Sequence, residues 1–123
     1  MPLLNFKPRF APDVESGKKR QTIRPKRKYP VKRGDKLYLY TGCRTKQARK
    51  LGEAICKFTQ DIEITCYPYY DVMNLDIILD GQKLNSREKN NLIQNDGFIF
   101  ENDFIYFFGT TYTLPFNGDL IKW

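Results

Sequence analysis

Gly17-Lys18-Lys19-Arg20-Gln21-Thr22-Ile23-Arg24 sets a lysine, a hydroxyl and a guanidinium at close spacing on one short segment. With Gln21 to Arg24 extended, alternate side chains share a face, so Thr22 and Arg24 point together. Lys19 approaches them from a turn at Gly17. The result is a small cationic site holding one candidate nucleophile. A threonine hydroxyl attacks only when a base takes its proton. Lysine serves as that base when burial or neighbouring cations bring its pKa down toward neutrality. Lys18, Arg20 and Arg24 supply such a positive field, and Arg24 suits either an oxyanion or a phosphate. Thr22 is equally the kind of β-branched residue that strands favour, with no chemistry attached.

Histidine is absent from the 123 residues. Ser-His and Cys-His dyads and imidazole metal sites are thereby excluded. Cys43, Cys56 and Cys66 make an odd count with no CxxC spacing, so they read as small core residues in a reduced, cytoplasmic protein rather than as metal ligands. The sequence contains no phosphate-gripping glycine loop and no HExxH. Neither a cofactor nor a metal is expected. No apolar run reaches membrane length and no signal-like leader is present, so no membrane association is expected.

Charge divides the chain. Residues 1–60 hold 17 Lys/Arg against 4 Asp/Glu, and residues 61–123 hold 4 against 10. A basic half calls for an anionic partner, with nucleic acid or nucleotide foremost, unless acidic elements packed nearby compensate it. Lys26, Arg27, Lys28, Lys32 and Arg33 lie in one loop. Arg44, Lys46, Arg49 and Lys50 lie in another, with Tyr29, Tyr38 and Tyr40 interleaved. Cationic loops around aromatic faces suit single-stranded RNA or a flipped-out base, and one of the three tyrosines is expected to stack on it.

The elements that must position these groups are short. Leu3-Leu4-Asn5-Phe6 reads as a strand, and Pro12 opens a one-turn helix closed by Gly17. Lys36 to Tyr40 alternates with Leu37 and Leu39 inward. Glu53 to Phe58 alternates with Ala54, Cys56 and Phe58 on one side, and Asp61 to Cys66 follows with Ile62, Ile64 and Cys66 on one face. Leu75 to Leu79 is a strand ended by an Asp80-Gly81 hairpin turn. Asn85 and Glu88 form a capping box for a helix that buries Leu92 and Ile93 and stops at Asp96-Gly97. Phe104, Phe107 and Phe108 make a core stripe on a further helical turn terminated by Gly109. Leu120 to Trp123 closes as a strand. Length fits one domain spanning 1–123, large enough to bury roughly two thirds of its unfolded surface without staples. The pattern predicts a small, mostly β barrel decorated by helices, with no βαβ repeats.

The first motif also resembles the signature of the ASCH domain family, the PUA-related β-barrels marked by G-x-K-x-x-E-x-R. Here it reads Gly17-x-Lys19-x-x-Thr22-x-Arg24. Leu4-x-Phe6 and Arg9-Phe10 before it, Gly34-Asp35-x-Leu37 and Gly52-Glu53-Ala54 after it, and Asp96-Gly97-Phe98 with Asp103-Phe104 extend the likeness over nearly the whole chain. The resemblance implies an α+β fold, a PUA-like barrel with two or three short peripheral helices, and recognition of RNA or of a modified nucleoside or nucleotide. Thr22 stands where the family usually has glutamate. The same threonine occurs in a small bacterial member that removes the acetyl group from N4-acetylcytidine, using lysine, threonine and a later carboxylate. Carried over, Lys19 is the base, Thr22 the nucleophile and Asp96 the acid, with Asp103 and Glu101 as alternatives. The nucleotide-binding set is then Arg9, Gly17, Lys18, Arg24, Lys26, Arg27, Tyr38, Tyr40 and Arg44. A non-catalytic RNA-binding or regulatory module, one with a protein partner included, and a ribonuclease remain as other readings. Oligomeric state is left open by the sequence.

Overall fold

The computed structural model describes residues 2–123. Eight strands and three helices follow one another as β1 (Leu3–Phe6), α1 (Ala11–Ser16), β2 (Gln21–Pro25), β3 (Lys36–Thr41), β4 (Arg49–Ile55), β5 (Phe58–Cys66), β6 (Leu75–Leu79), β7 (Gln82–Lys83), α2 (Ser86–Asn95), α3 (Glu101–Thr111) and β8 (Phe116–Lys122). A single 3-10 turn, Val72–Asn74, precedes β6. The fold is α+β. Among the described residues, no helix is long and apolar enough to cross a membrane.

The strands pair into two sheets. One has the order β1-β3-β4 and the other β2-β8-β5-β6-β7. The second sheet is antiparallel throughout, and the first contains one parallel pair, β1 with β3, set in register from Leu3↔Tyr38 to Phe6↔Thr41. Parallel neighbours need a crossover. Here α1 and β2 provide it, which is how the Lys19 segment comes to lie beside β1.

The chain passes from one sheet to the other at Cys56-Lys57. Cys56 N–H donates to Asp35 O at 2.8 Å, and Lys57 N–H donates to Lys122 O at 2.8 Å. At the opposite side no ladder joins β1 to β2 among the described residues. Two arginines cross that seam instead. Arg24 Nη2 donates to Asn5 O at 2.7 Å, and Arg27 Nη2 donates to Leu3 O at 3.1 Å. Outward carbonyls of an edge strand, which would otherwise need water or another strand, are satisfied by guanidinium groups.

Apolar residues of both sheets join one core cluster. Leu4, Phe6, Leu37 and Leu39 come from the first sheet, and Ile62, Ile64, Leu120 and Ile121 from the second. Leu92 and Ile93 of α2 and Phe104, Ile105 and Phe108 of α3 extend the same cluster. The capping box at Asn85 and Glu88 is present in both directions.

Four local expectations change. Arg49 and Lys50 are not in the loop with Arg44 and Lys46 but open β4, where they pair with Thr41 and Tyr40. Cys56 is buried as foreseen, but Phe58 is exposed, because the chain turns between sheets at 56–57 and Phe58 opens β5 rather than ending β4. Gly109 does not stop its helix. α3 runs on to Thr111, and the missing side chain at Gly109 makes room for the Tyr70 ring. The last strand starts earlier than Leu120, at Phe116, because β8 lies between β2 and β5 and is paired on both sides.

Candidate functional site

Gly17 ends α1 with φ +83° and turns the chain so that Lys19 points inward. β2 follows, and its alternation is inverted relative to a simple half-buried strand. Gln21, Thr22 and Ile23 are all buried, with Gln21 reaching the end of α2 and Thr22 facing the cavity that α3 helps to line. Thr22 and Arg24 share a face, and Arg24 Nε donates to Thr22 Oγ1 at 2.9 Å.

The carboxylate arrives from the end of α2. Phe98 N–H donates to Ile93 O at 3.2 Å and Gly97 N–H donates to Gln94 O at 3.0 Å, the paired bonds of a Schellman closure. Gly97 adopts φ +98° to make it, which leaves Asp96 as the C-cap residue. Lys19 Nζ donates to the Asp96 carbonyl and lies 3.2 Å from Asp96 Oδ1. Gln21 Nε2 donates to Leu92 O at 3.1 Å and to Asp96 Oδ1 at 3.3 Å. One cation and one amide thus fasten a helix C-terminus, where the dipole favours positive charge.

Lys19 is 3 % exposed, Thr22 5 % and Asp96 5 %. Burial pushes the Lys19 pKa below the usual lysine range, and attraction to Asp96 works against that shift while Arg24 adds to it. Burial pushes the Asp96 carboxyl above its usual range, opposed first by Lys19. Burial also lowers the Arg24 pKa somewhat. Among the described residues, no buried side-chain polar atom lacks a hydrogen-bond partner.

Lys19, Thr22, Arg24 and Asp96 line one cavity of about 170 Å³. Its walls are aromatic, lined by Phe6, Phe10, Phe107, Phe108 and Tyr112, with the Phe10 and Phe107 rings meeting edge to face at 5.9 Å. Lys19 Nζ sits 5.0 Å from the Phe10 ring centre, and the Arg24 guanidinium carbon 4.9 Å from that of Phe6. A cavity of roughly 150 Å³ accepts benzene, so this one has room for a single aromatic heterocycle.

The three residues expected to do chemistry are therefore together, and Arg24 joins them. Gly17 shapes the approach as a turn. Arg9 lies over the Phe10 and Phe98 rings at 4.8 and 5.1 Å, just behind the cavity wall. Lys18 lies instead against a neighbouring hollow with Asp13, Gln94 and Gly97. Asp103 and Glu101, the other carboxylates considered, are on the first turn of α3 and do not line the cavity. Tyr38 and Tyr40 are half-buried on β3, away from it. Lys36 and Lys50 lie 5.6 and 5.8 Å from the Tyr38 ring. Lys26 is paired with Asp61 and Asp119, Arg27 reaches the β1 backbone, and Arg44 sits exposed in the 42–48 loop at φ 65°. Much of the basic half is compensated by carboxylates. Arg49 meets Glu15, and Lys36 with Lys50 holds Glu53, lowering its carboxyl pKa to about 2. Gln21, Asn5 and Tyr112 were not foreseen. Their signal is tertiary, since Gln21 is an ordinary polar strand residue until α2 ends above it.

Among the described residues, no group of three or more His, Cys, Asp or Glu converges to hold a metal ion. Comparison with protein-family models, curated proteins and solved structures finds no match to this chain.

Proposed function

We propose that this chain is an ASCH-type, PUA-like domain that takes a nucleobase into the cavity beneath α3 and hydrolyses the exocyclic amide of N4-acetylcytidine. The observation that carries this reading is the convergence of Lys19, Thr22, Arg24 and Asp96 on one aromatic-walled cavity, from segments more than seventy residues apart. The arginine stitches across the β1–β2 seam support the barrel-like architecture, because they hold the two sheets together where the ladder is missing.

The arrangement supports the following chemistry. A neutral Lys19 amine can keep both donations to Asp96 and still present its lone pair. Its lowered pKa favours that form. Lys19 takes the Thr22 proton as Thr22 Oγ1 attacks the acetyl carbonyl carbon. Arg24, already bonded to Thr22 Oγ1, steadies the charge on the tetrahedral oxygen. Collapse breaks the C–N bond, and Lys19 returns the proton to the departing cytidine amine. Water then cleaves the acetyl-threonine ester with Lys19 again as base, releasing acetate and restoring Thr22. Asp96 holds Lys19 in place and balances its charge when protonated.

Purified wild type and Thr22→Ala, incubated with N4-acetylcytidine, test this by chromatography of the cytidine released. Turnover by wild type and a loss of about a thousandfold or more in Thr22→Ala is the expected result. Equal rates in both, or none in either, would remove the hydrolytic reading.

A further inference from the structure

The ten lysines and arginines of 18–36 do not share one environment. Most are tied to carboxylates, backbone or the cavity, but the stretch just past β2 presents a second hollow. It holds about 630 Å³ and is lined by Arg27, Lys28, Tyr29 and Lys36, with Pro2, Pro30 and Asp35. Tyr29 is 79 % exposed. The Lys28 ammonium lies 5.6 Å from its ring centre. Asp35, the acid in the hollow, accepts from Lys32 N–H at 2.9 Å and so turns its charge toward the loop backbone. Lys36 is paired with Glu53. The cations left to a ligand are Lys28 and the guanidinium N–H groups of Arg27 that do not bond to Leu3 O, beside an exposed aromatic face.

This hollow and the nucleobase cavity stand at the two ends of β1. Asn5 lines the cavity and Pro2 lines the hollow. At about 3.3 Å per residue the two points are about 10 Å apart, a gap that an extended single strand with a splayed-out base covers. Arg24 and Arg27 bond to Asn5 O and Leu3 O along the same β1 edge, which makes the path between the hollows cationic. A positively charged track with an aromatic platform beside it is what single strands bind.

We infer that the base in the cavity belongs to a single-stranded nucleic acid, whose adjacent nucleotide stacks on Tyr29 while its phosphate meets Arg27 and Lys28. The inference rests on the nucleobase reading of the cavity and adds the substrate class to it. It also selects among the tyrosines. Tyr29 has the open face, whereas Tyr38 and Tyr40 are half-buried on β3.

Fluorescence anisotropy with labelled oligonucleotides of about ten residues tests it, with oligoribonucleotide and oligodeoxyribonucleotide arms separating the two strand types. Tyr29→Ala is expected to weaken binding about tenfold. Lys28→Glu is expected to weaken it and to flatten the dependence of log affinity on log salt. Arg87→Glu, an equal charge change on α2, is expected to leave affinity near wild type. Wild-type affinity in both Tyr29→Ala and Lys28→Glu, or an equal loss in Arg87→Glu, would overturn the inference. Nucleoside hydrolysis without Tyr29-dependent strand binding would overturn this inference alone. Tyr29-dependent strand binding without release of cytidine would uphold it while removing the hydrolytic step.

Discussion

Burial acts on Lys19 and Asp96 in opposite senses, lowering one pKa and raising the other, and both shifts favour the uncharged forms. The Lys19 amine is the form that can take a proton, so the proposed hydrolysis should rise with pH through the Lys19 titration and then level. Its neighbours set where that rise falls. Asp96 attracts the ammonium and holds the Lys19 pKa up. In Asp96→Asn that attraction is gone, so the ascending limb of kcat/KM should move to lower pH. Arg24 repels the ammonium and holds the pKa down, so in Arg24→Gln the limb should move to higher pH. Both variants should also turn over more slowly. The opposite directions of the two limbs are the readout, obtained from rate–pH profiles on N4-acetylcytidine. Limbs that stay where the wild type has them would take Lys19 out of the base role.

The element that places the carboxylate is the closure of α2, and it depends on Gly97. A side chain there would hold φ +98° at a cost of about 1–2 kcal/mol. Its Cβ would also lie 3.0 Å from Phe10 Cδ1 and 3.4 Å from Lys19 Cδ. Gly97→Ala should therefore lower stability by about 1–3 kcal/mol. It should lower kcat/KM by more than that loss of folded protein explains, because Asp96 and Lys19 move with the strain. Denaturant midpoints measured beside kinetics on the same preparation check this. The capping box at Asn85 and Glu88, the stop at Asp96-Gly97 and the turn at Gly17 were all readable from sequence, because each is a local rule of backbone geometry. So was the Thr22–Arg24 face, which needs only strand periodicity. The end of α3 was not readable. Gly109 looks like a terminator locally, but it serves Tyr70, a residue from the 67–74 segment. Nor was Lys26 foreseen as an ion-paired residue. Its partners Asp61 and Asp119 lie on β5 and β8, and only the sheet order brings them near. Charge counts over the first half overstated the cationic surface for the same reason.

At the scale of the molecule, the residue-bearing strand has a single ladder. β2 pairs with β8 from Gln21↔Lys122 to Pro25↔Gly118, and among the described residues it pairs with no other strand. Gly118 is placed so closely against it that an added Cβ would lie 2.2 Å from Arg24 O. Amide hydrogen exchange should therefore give β2 and the β8 amides that bond to it the same opening free energy, within about 1 kcal/mol. Much faster exchange in β2 alone would mean that the strand opens without its partner.

That pairing also has a consequence for assembly. Closing Thr22 onto Ile121 spans nearly the whole described sequence, the kind of non-local contact that forms late because its loop entropy is spent before it is rewarded. A nascent polypeptide that has emerged as far as α3 already contains Lys19, Thr22, Arg24 and Asp96, yet has nothing for β2 to zip onto. On the proposed hydrolytic reading, competence then arises only with the finished sheet, and a half-made or clipped copy is silent rather than promiscuous.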